Sequence, residues 1–105
     1  MDFETLITQF IVFSKSTFTQ ATCRSSLEKC RGEIKEVERI LDSPEEYPDH
    51  DLIEEYVDCI MCLIDSAARA GFTPEEIRAS FSRKLLTNQR RTWKLNPDNT
   101  YSHVK

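Results

Sequence analysis

Residues 56–64 read Tyr-Val-Asp-Cys-Ile-Met-Cys-Leu-Ile, nine residues with a single charge, Asp58. A helix that is apolar on all sides is expected to be buried. A lone buried carboxylate is costly unless it is paired, protonated or bound to a metal. Asp58 is therefore expected to be buried and held for function. Glu55 stands one turn before it and Asp65 two turns after it, and all three fall on one stripe of the helix. On another predicted helix Glu33 and Glu36 repeat the i, i+3 spacing. Residues so spaced are side-by-side neighbours. Two such pairs on packed antiparallel helices would gather four carboxylates around one or two hard cations, Mg²⁺ first, through oxygen ligands.

The chain has 105 residues, which suits one domain spanning 1–105 with a modest core. Two Gly and four Pro favour long regular elements. A charged fraction of 30% beside a hydrophobic fraction of 39% fits a soluble globular chain rather than a disordered one. The net charge of −4 argues against a broad nucleic-acid-binding face. No apolar run approaches the roughly 18 residues of a membrane span. The stretch 6–13 follows Asp2 and Glu4 rather than basic residues, so it does not read as a secretory signal. A cytoplasmic location follows from these readings. Cys23, Cys30, Cys59 and Cys62 include one C-x-x-C, but no second pair has zinc-site spacing, so reduced core thiols are expected.

Four main helices are expected, with one short extra turn and no strand pattern: an all-α bundle of four to five helices, oligomeric because so small a core leaves apolar surface. The first spans about 3–15. A polar connection over 14–24 carries Phe18, which reads as a core plug or a stacking surface. Ser25 and Glu28 form a capping box opening the second helix. Its seam is Leu27, Cys30, Ile34, Val37 and Leu41, which puts Glu33 at the core's edge and Glu36 outside it. One turn follows at Ser43-Pro44-Glu45-Glu46, then a loop through His50. The third helix covers about 51–70 and stops at Gly71. The fourth opens at Thr73-Pro74-Glu75-Glu76 with Ile77, Phe81, Leu85 and Leu86 toward the core. Asn96-Pro97-Asp98-Asn99 is a turn before a short tail that contains His103.

The fourth helix ends in a basic cluster. Lys84, Arg90 and Arg91 suit phosphate oxygens, Asn88 a sugar or base, and Trp93 stacking, although Trp93 equally suits a core or interface. Acids for Mg²⁺ together with cations for phosphate suggest a nucleotide polyphosphate.

The residues that carry this chemistry resemble a known family. Glu33-Ile34-Lys35-Glu36 followed by Glu55-Tyr56-Val57-Asp58 is similar to the E-E-x-x-E … E-x-x-D signature of the all-α, MazG-type nucleoside triphosphate pyrophosphohydrolases. Within them the chain is most similar to the phage dATP/dGTP diphosphohydrolase (MazZ-like) branch. The likeness there runs through Asp65-Ser66-Ala67-Ala68-Arg69-Ala70-Gly71, Thr73-Pro74-Glu75-Glu76-Ile77, the residues Lys84, Asn88 and Arg91-Thr92-Trp93, and the tail Ser102-His103-Val104-Lys105. The resemblance covers roughly residues 17–105. One position departs: Gly32 stands where the five-residue motif has its first Glu.

The resemblance implies hydrolysis of a purine dNTP, dGTP or dATP, to the monophosphate and pyrophosphate, by a homodimer or homotetramer in the cytoplasm (the host's, for a phage-encoded chain). Glu33, Glu36, Glu55 and Asp58 would bind Mg²⁺, in two or more ions and with Mn²⁺ as a substitute. Glu54, or one of the ligands, would take the proton of the attacking water. Lys84 and Arg91 would stabilise the leaving pyrophosphate. Asn88, Trp93 and Phe18 would contact base or sugar. Asp65 is read as a further acid of the metal site, or else as the buried partner of Arg69. Two alternatives stand: the same chemistry on a pyrimidine or modified dNTP, and a non-catalytic helical interaction module whose acid stripe is an interface.

Overall fold

The computed structural model describes residues 1–105, the side chain of His50 excepted. These residues form α1 (Phe3–Thr17), α2 (Cys23–Asp42), a 3-10 turn (Pro44–Glu46), α3 (Asp49–Arg69), α4 (Pro74–Arg90), β1 (Trp93–Leu95) and β2 (Tyr101–His103). They separate into two compact units, Met1–Pro74 and Glu75–Lys105.

Helix ends follow local chemistry. The Asp2 carboxylate accepts from the Thr5 amide at 2.8 Å and opens α1. The capping box of α2 is Thr22 with Ser25, one turn ahead of the expected Ser25 with Glu28. The Ser25 amide donates to Thr22 Oγ1 at 3.0 Å and the Thr22 amide to Ser25 Oγ at 2.8 Å. Two hydroxyls satisfy each other's backbone donors here as Ser and Glu would, so the helix starts at Cys23. α3 starts at Asp49 rather than 51, with Asp49 and Asp51 in its first turn, where the helix dipole favours acids. His50 is thus helical in its backbone, not in a loop. At the far end the Phe72 amide donates to Ala67 O and the Gly71 amide to Ala68 O, a Schellman closure with Gly71 at φ 107°.

In the first unit α2 and α3 make the main pairing and α1 packs on α3. Cys23 meets Ser66, Ser26 meets Asp65 and Cys30 meets Cys59, so numbers rise along α2 as they fall along α3 and the two run antiparallel. The core comprises Ile7 and Ile11 of α1, Cys30, Val37 and Ile40 of α2, and Ala68 of α3. The inner face of α2 is therefore Ser26, Cys30, Val37 and Ile40, with Glu33 in the same row. The expected seam is corrected by a rotation: Leu27, Ile34 and Leu41 are exposed, and Ile40 is buried.

The burial expected for residues 56–64 does not occur within the single chain. Tyr56, Val57, Ile60, Met61 and Leu63 are exposed, and so is Asp58. Among the described residues of this unit α1 and α2 are the helices that pack on α3, and two helices cannot enclose a third on every side.

In the second unit α4 has no buried residue; Ile77 is half-buried, and Phe81, Leu85 and Leu86 are exposed rather than in a core. The absence of strands is also corrected. β1 and β2 pair antiparallel, with Trp93 opposite His103. The expected turn at residues 96–99 joins them. Asn99 takes φ 70°, which Asn tolerates, and the Asp98 carboxylate accepts from the Thr100 amide at 3.1 Å.

Candidate functional site

Glu33 from α2 and Glu55 and Asp58 from α3 each place one carboxylate oxygen within 4.8 Å of the other two. The rotated face of α2 brings Glu33 inward, and i, i+3 spacing puts Glu55 and Asp58 on the same side of α3. Among the described residues this is the group able to hold a metal ion. Partial desolvation and the charges of Asp58 and Glu33 raise the Glu55 carboxyl above its usual range. Asp58 is raised by desolvation and by Glu33 and Glu54, against the opposing pull of Lys29. Like charges that resist ionisation together are what a cation relieves. The spacing is about two metal–oxygen bonds of roughly 2.0–2.6 Å, and every donor is a hard oxygen, so the residues fit Mg²⁺ or Mn²⁺.

Glu36 lies outside this group. Both its oxygens stand 2.9 Å from Arg39 Nη1, in an exposed pair, although its charge is felt at Glu55. Glu54 is exposed near Asp58. Sequence reading missed Lys29, whose Nζ lies 3.0 Å from Glu33 Oε1. Its signal was present as an i, i+4 Lys-Glu pair, an arrangement too common on helix surfaces to single out.

A cleft of about 440 Å³ opens beside the acids, within the size range of small-molecule sites. Lys29, Glu33 and Asp58 line one part of it, and Phe10, Phe13, Phe18, Met61 and Cys62 make its apolar wall. Phe13 and Phe18 meet edge to face, centroids 5.7 Å apart, each about half exposed. Phe18 is thus a wall of the cleft rather than a core plug. Burial and neighbouring charges push the Cys62 thiol up to about 11, so it is a neutral part of that wall. The four cysteines are free thiols, but only Cys30 is a core residue; Cys23, Cys59 and Cys62 are half-buried.

The buried acid of α3 is Asp65, not Asp58. It accepts from Ser14 Oγ and Ser26 Oγ at 2.5 Å each and from Arg69 Nε at 2.8 Å. Burial alone would raise its carboxyl, but these hydrogen bonds and the Arg69 charge win and hold it below the usual range. Of the two roles read for Asp65, the partner of Arg69 is the one found; it lies outside the metal-capable group.

Lys84, Asn88, Arg91 and Trp93 belong to the second unit. There Arg91 Nη1 donates to Asn88 Oδ1 at 3.2 Å and Trp93 Nε1 to Asn88 O at 3.0 Å. The Trp93 ring lies 6.3 Å from that of His103, so both belong to the hairpin.

Comparison with known proteins adds three findings. The profile of the dATP/dGTP pyrophosphohydrolase family matches residues 6–105. No curated protein matches the sequence. Among solved structures, a MazG-like pyrophosphohydrolase of cyanophage S-2L, bound to dGDP and three catalytic Mn²⁺ ions per active site, is similar with a TM-score of 0.73 and 18% identity, over 100% of this chain and 99% of that one.

Proposed function

The chain belongs to the dATP/dGTP pyrophosphohydrolase family, a MazG-type family of nucleotide pyrophosphohydrolases, and on that premise we propose that it hydrolyses dGTP or dATP to the monophosphate and pyrophosphate with Mg²⁺. The observation that carries this reading is the convergence of Glu33, Glu55 and Asp58 at the side of an aromatic-walled cleft of nucleoside size. The dGDP and Mn²⁺ held by the similar cyanophage protein support it.

Glu33, Glu55 and Asp58 would hold the metal, with Glu36 as a fourth ligand. An exposed ion pair is worth little, so Glu36 leaves Arg39 at small cost. Two or more Mg²⁺ ions held by these acids would neutralise the triphosphate and lower the pKa of a bound water. The residues do the rest. A water attacks the α-phosphorus, the bond to the α–β bridging oxygen breaks, and pyrophosphate leaves. We assign Glu54, or one of the acid cluster, to take the water's proton. Phe13, Phe18 and Met61 receive the base and exclude water from it. Lys84 and Arg91 supply charge for phosphate oxygens, Asn88 a polar contact for the nucleoside, and Trp93, held in the hairpin by its Nε1 hydrogen bond, an exposed ring for stacking.

The whole of 1–105 acts as one catalytic domain, in the cytoplasm, as a homodimer or homotetramer. Apolar stripes support the assembly: Leu27, Ile34 and Leu41 on α2, and Ile53, Tyr56, Val57 and Ile60 on α3, are exposed in the single chain. Among the described residues no helix is long and apolar enough to cross a membrane.

The test is a panel of dNTPs and NTPs with Mg²⁺, scored for pyrophosphate and orthophosphate. Pyrophosphate released mainly from dGTP or dATP is expected. Preference for a pyrimidine or modified base would overturn the purine assignment, and orthophosphate as the product would overturn the bond assignment.

A further inference from the structure

We propose that Asp65 and Arg69 are positioning residues that fix the aromatic wall of the cleft and so set how tightly the nucleoside part of the substrate is held. This rests on reading the cleft as the nucleoside subsite.

Arg69 works as a clamp across the chain. Its Nε donates to Asp65 Oδ2 at 2.8 Å, Nη1 to Ala21 O at 2.8 Å, and Nη2 to Phe18 O at 3.0 Å and Ser14 O at 3.3 Å. The carbonyls it holds belong to the end of α1 and the connector over residues 18–22. Ser14, Phe18 and Ala21 are also lining residues of the cleft. Phe18 is 50% exposed, so burial alone does little to place its ring. Its backbone is placed by the guanidinium, whose planar fork fixes several directions at once. Asp65 in turn fixes Arg69 and, through Ser14 and Ser26, joins α1 to α2.

The same bonds exclude two other roles. Asp65 Oδ1 is taken by Ser14, Oδ2 by Ser26 and Arg69, and its charge is balanced by Arg69, which leaves little to offer a metal. The Ser14 hydroxyl donates to Asp65 and accepts from Arg69 Nη2 at 3.2 Å, and Ser26 donates to Asp65, so neither hydroxyl proton is available to read a base edge. Ser14, Ser26 and Asp65 also line the cleft, but with these bonds already made their part is to place its wall.

The experiment compares the full chain with Arg69→Lys, whose single point charge cannot hold a carboxylate and three carbonyls in fixed directions. The readouts are kcat and KM for dGTP and dATP, inhibition by tripolyphosphate as a base-free competitor, and calorimetric binding of deoxyguanosine without metal. We expect KM to rise roughly tenfold to a hundredfold with kcat nearly unchanged. Deoxyguanosine binding should weaken by a similar factor, and tripolyphosphate inhibition should stay the same. Ser26→Ala, which removes one hydrogen bond from the same carboxylate, should move KM and deoxyguanosine binding the same way by a smaller factor, and it decides the matter if Arg69→Lys does not fold. A lowered Tm with KM and deoxyguanosine binding unchanged would make the clamp merely structural and overturn the proposal. So would tripolyphosphate inhibition weakened as much as nucleoside binding. If the unmodified chain binds no deoxyguanosine, the cleft is not a nucleoside subsite and both readings fall; if it binds and the variants bind equally, the clamp alone falls.

Discussion

Lys29 Nζ stands 3.0 Å from Glu33 Oε1, so one acid of the metal-capable group is already paired with a cation from its own helix. The ammonium is largely exposed while the Glu33 side chain is 14% exposed. Lys29 and a metal ion therefore compete for one carboxylate. Lys29→Met should tighten Mn²⁺ binding a few-fold, the scale of an exposed ion pair. It should also lower the Tm of the metal-free protein slightly, because Glu33 and Asp58 lose a counter-charge. A Mn²⁺ titration followed by electron paramagnetic resonance reads the first effect; unchanged or weaker binding would show that Lys29 does not compete.

Asp58→Asn should cost turnover by at least about a hundredfold, within the range a lost catalytic electrostatic group produces. It should leave the metal-free Tm unchanged or raised, because it removes a charge that Glu33 and Glu54 repel. The Tm gain that Mg²⁺ gives the unmodified chain through linkage should shrink or vanish. Near-normal activity at saturating Mg²⁺ would remove Asp58 from the site.

Asp65 predicts an acid limb in stability. Its carboxyl is held below the usual range in the folded chain, whereas the unfolded group protonates near pH 4. Unfolding therefore takes up a proton below that point. The stability due to Asp65 is complete above about pH 4 and is lost as pH falls through the lower folded value. Asp65→Asn leaves Arg69 buried without its anion and should cost about 3–5 kcal/mol at neutral pH. It should also flatten the acid limb in urea melts between pH 2 and 5. A variant curve parallel to the unmodified one at every pH would assign the limb to other acids.

Gly32 sits inside α2, exposed, and among the described residues nothing lies within 4 Å of a Cβ built there. The missing Glu of the family motif is thus not a matter of space. Gly32→Ala should stabilise the chain by about 0.5–1 kcal/mol, the helix-interior cost of Gly relative to Ala. Denaturant melts measure it, and a loss of stability would mean that this face of α2 is covered in the assembled protein.

Light scattering at micromolar concentration should give a multiple of the 12.3 kDa chain mass. Ile60→Asp, in the exposed apolar stripe of α3, should shift that mass toward the single chain. A monomeric mass for the unmodified protein would defeat the assembly proposed from those stripes.

Helix number, the stop at Gly71, the turn at residues 96–99 and the i, i+3 acid spacing were legible in the sequence, because each depends on neighbours a few residues away. The hairpin strands were not: three residues each, mostly exposed, they show no alternation that a period-two reading could find. Which stripe of α2 faces inward was not legible either. Residues 27, 30, 34, 37, 41 and residues 26, 30, 33, 37, 40 share Cys30 and Val37, and periodicity cannot choose between two stripes rotated by a fraction of a turn. Packing against α3 chose the second, which turned Glu33 inward onto Glu55 and Asp58 and left Glu36 to Arg39. Burial followed the same rule. One charge in an apolar run marked Asp58, yet the buried carboxylate is Asp65, whose serine partners lie 51 and 39 residues away and whose Arg69 is one turn along its own helix. Local sequence determined which residues share a helix face. Only the tertiary structure decided which face meets a partner, because that depends on contacts between segments distant in the chain.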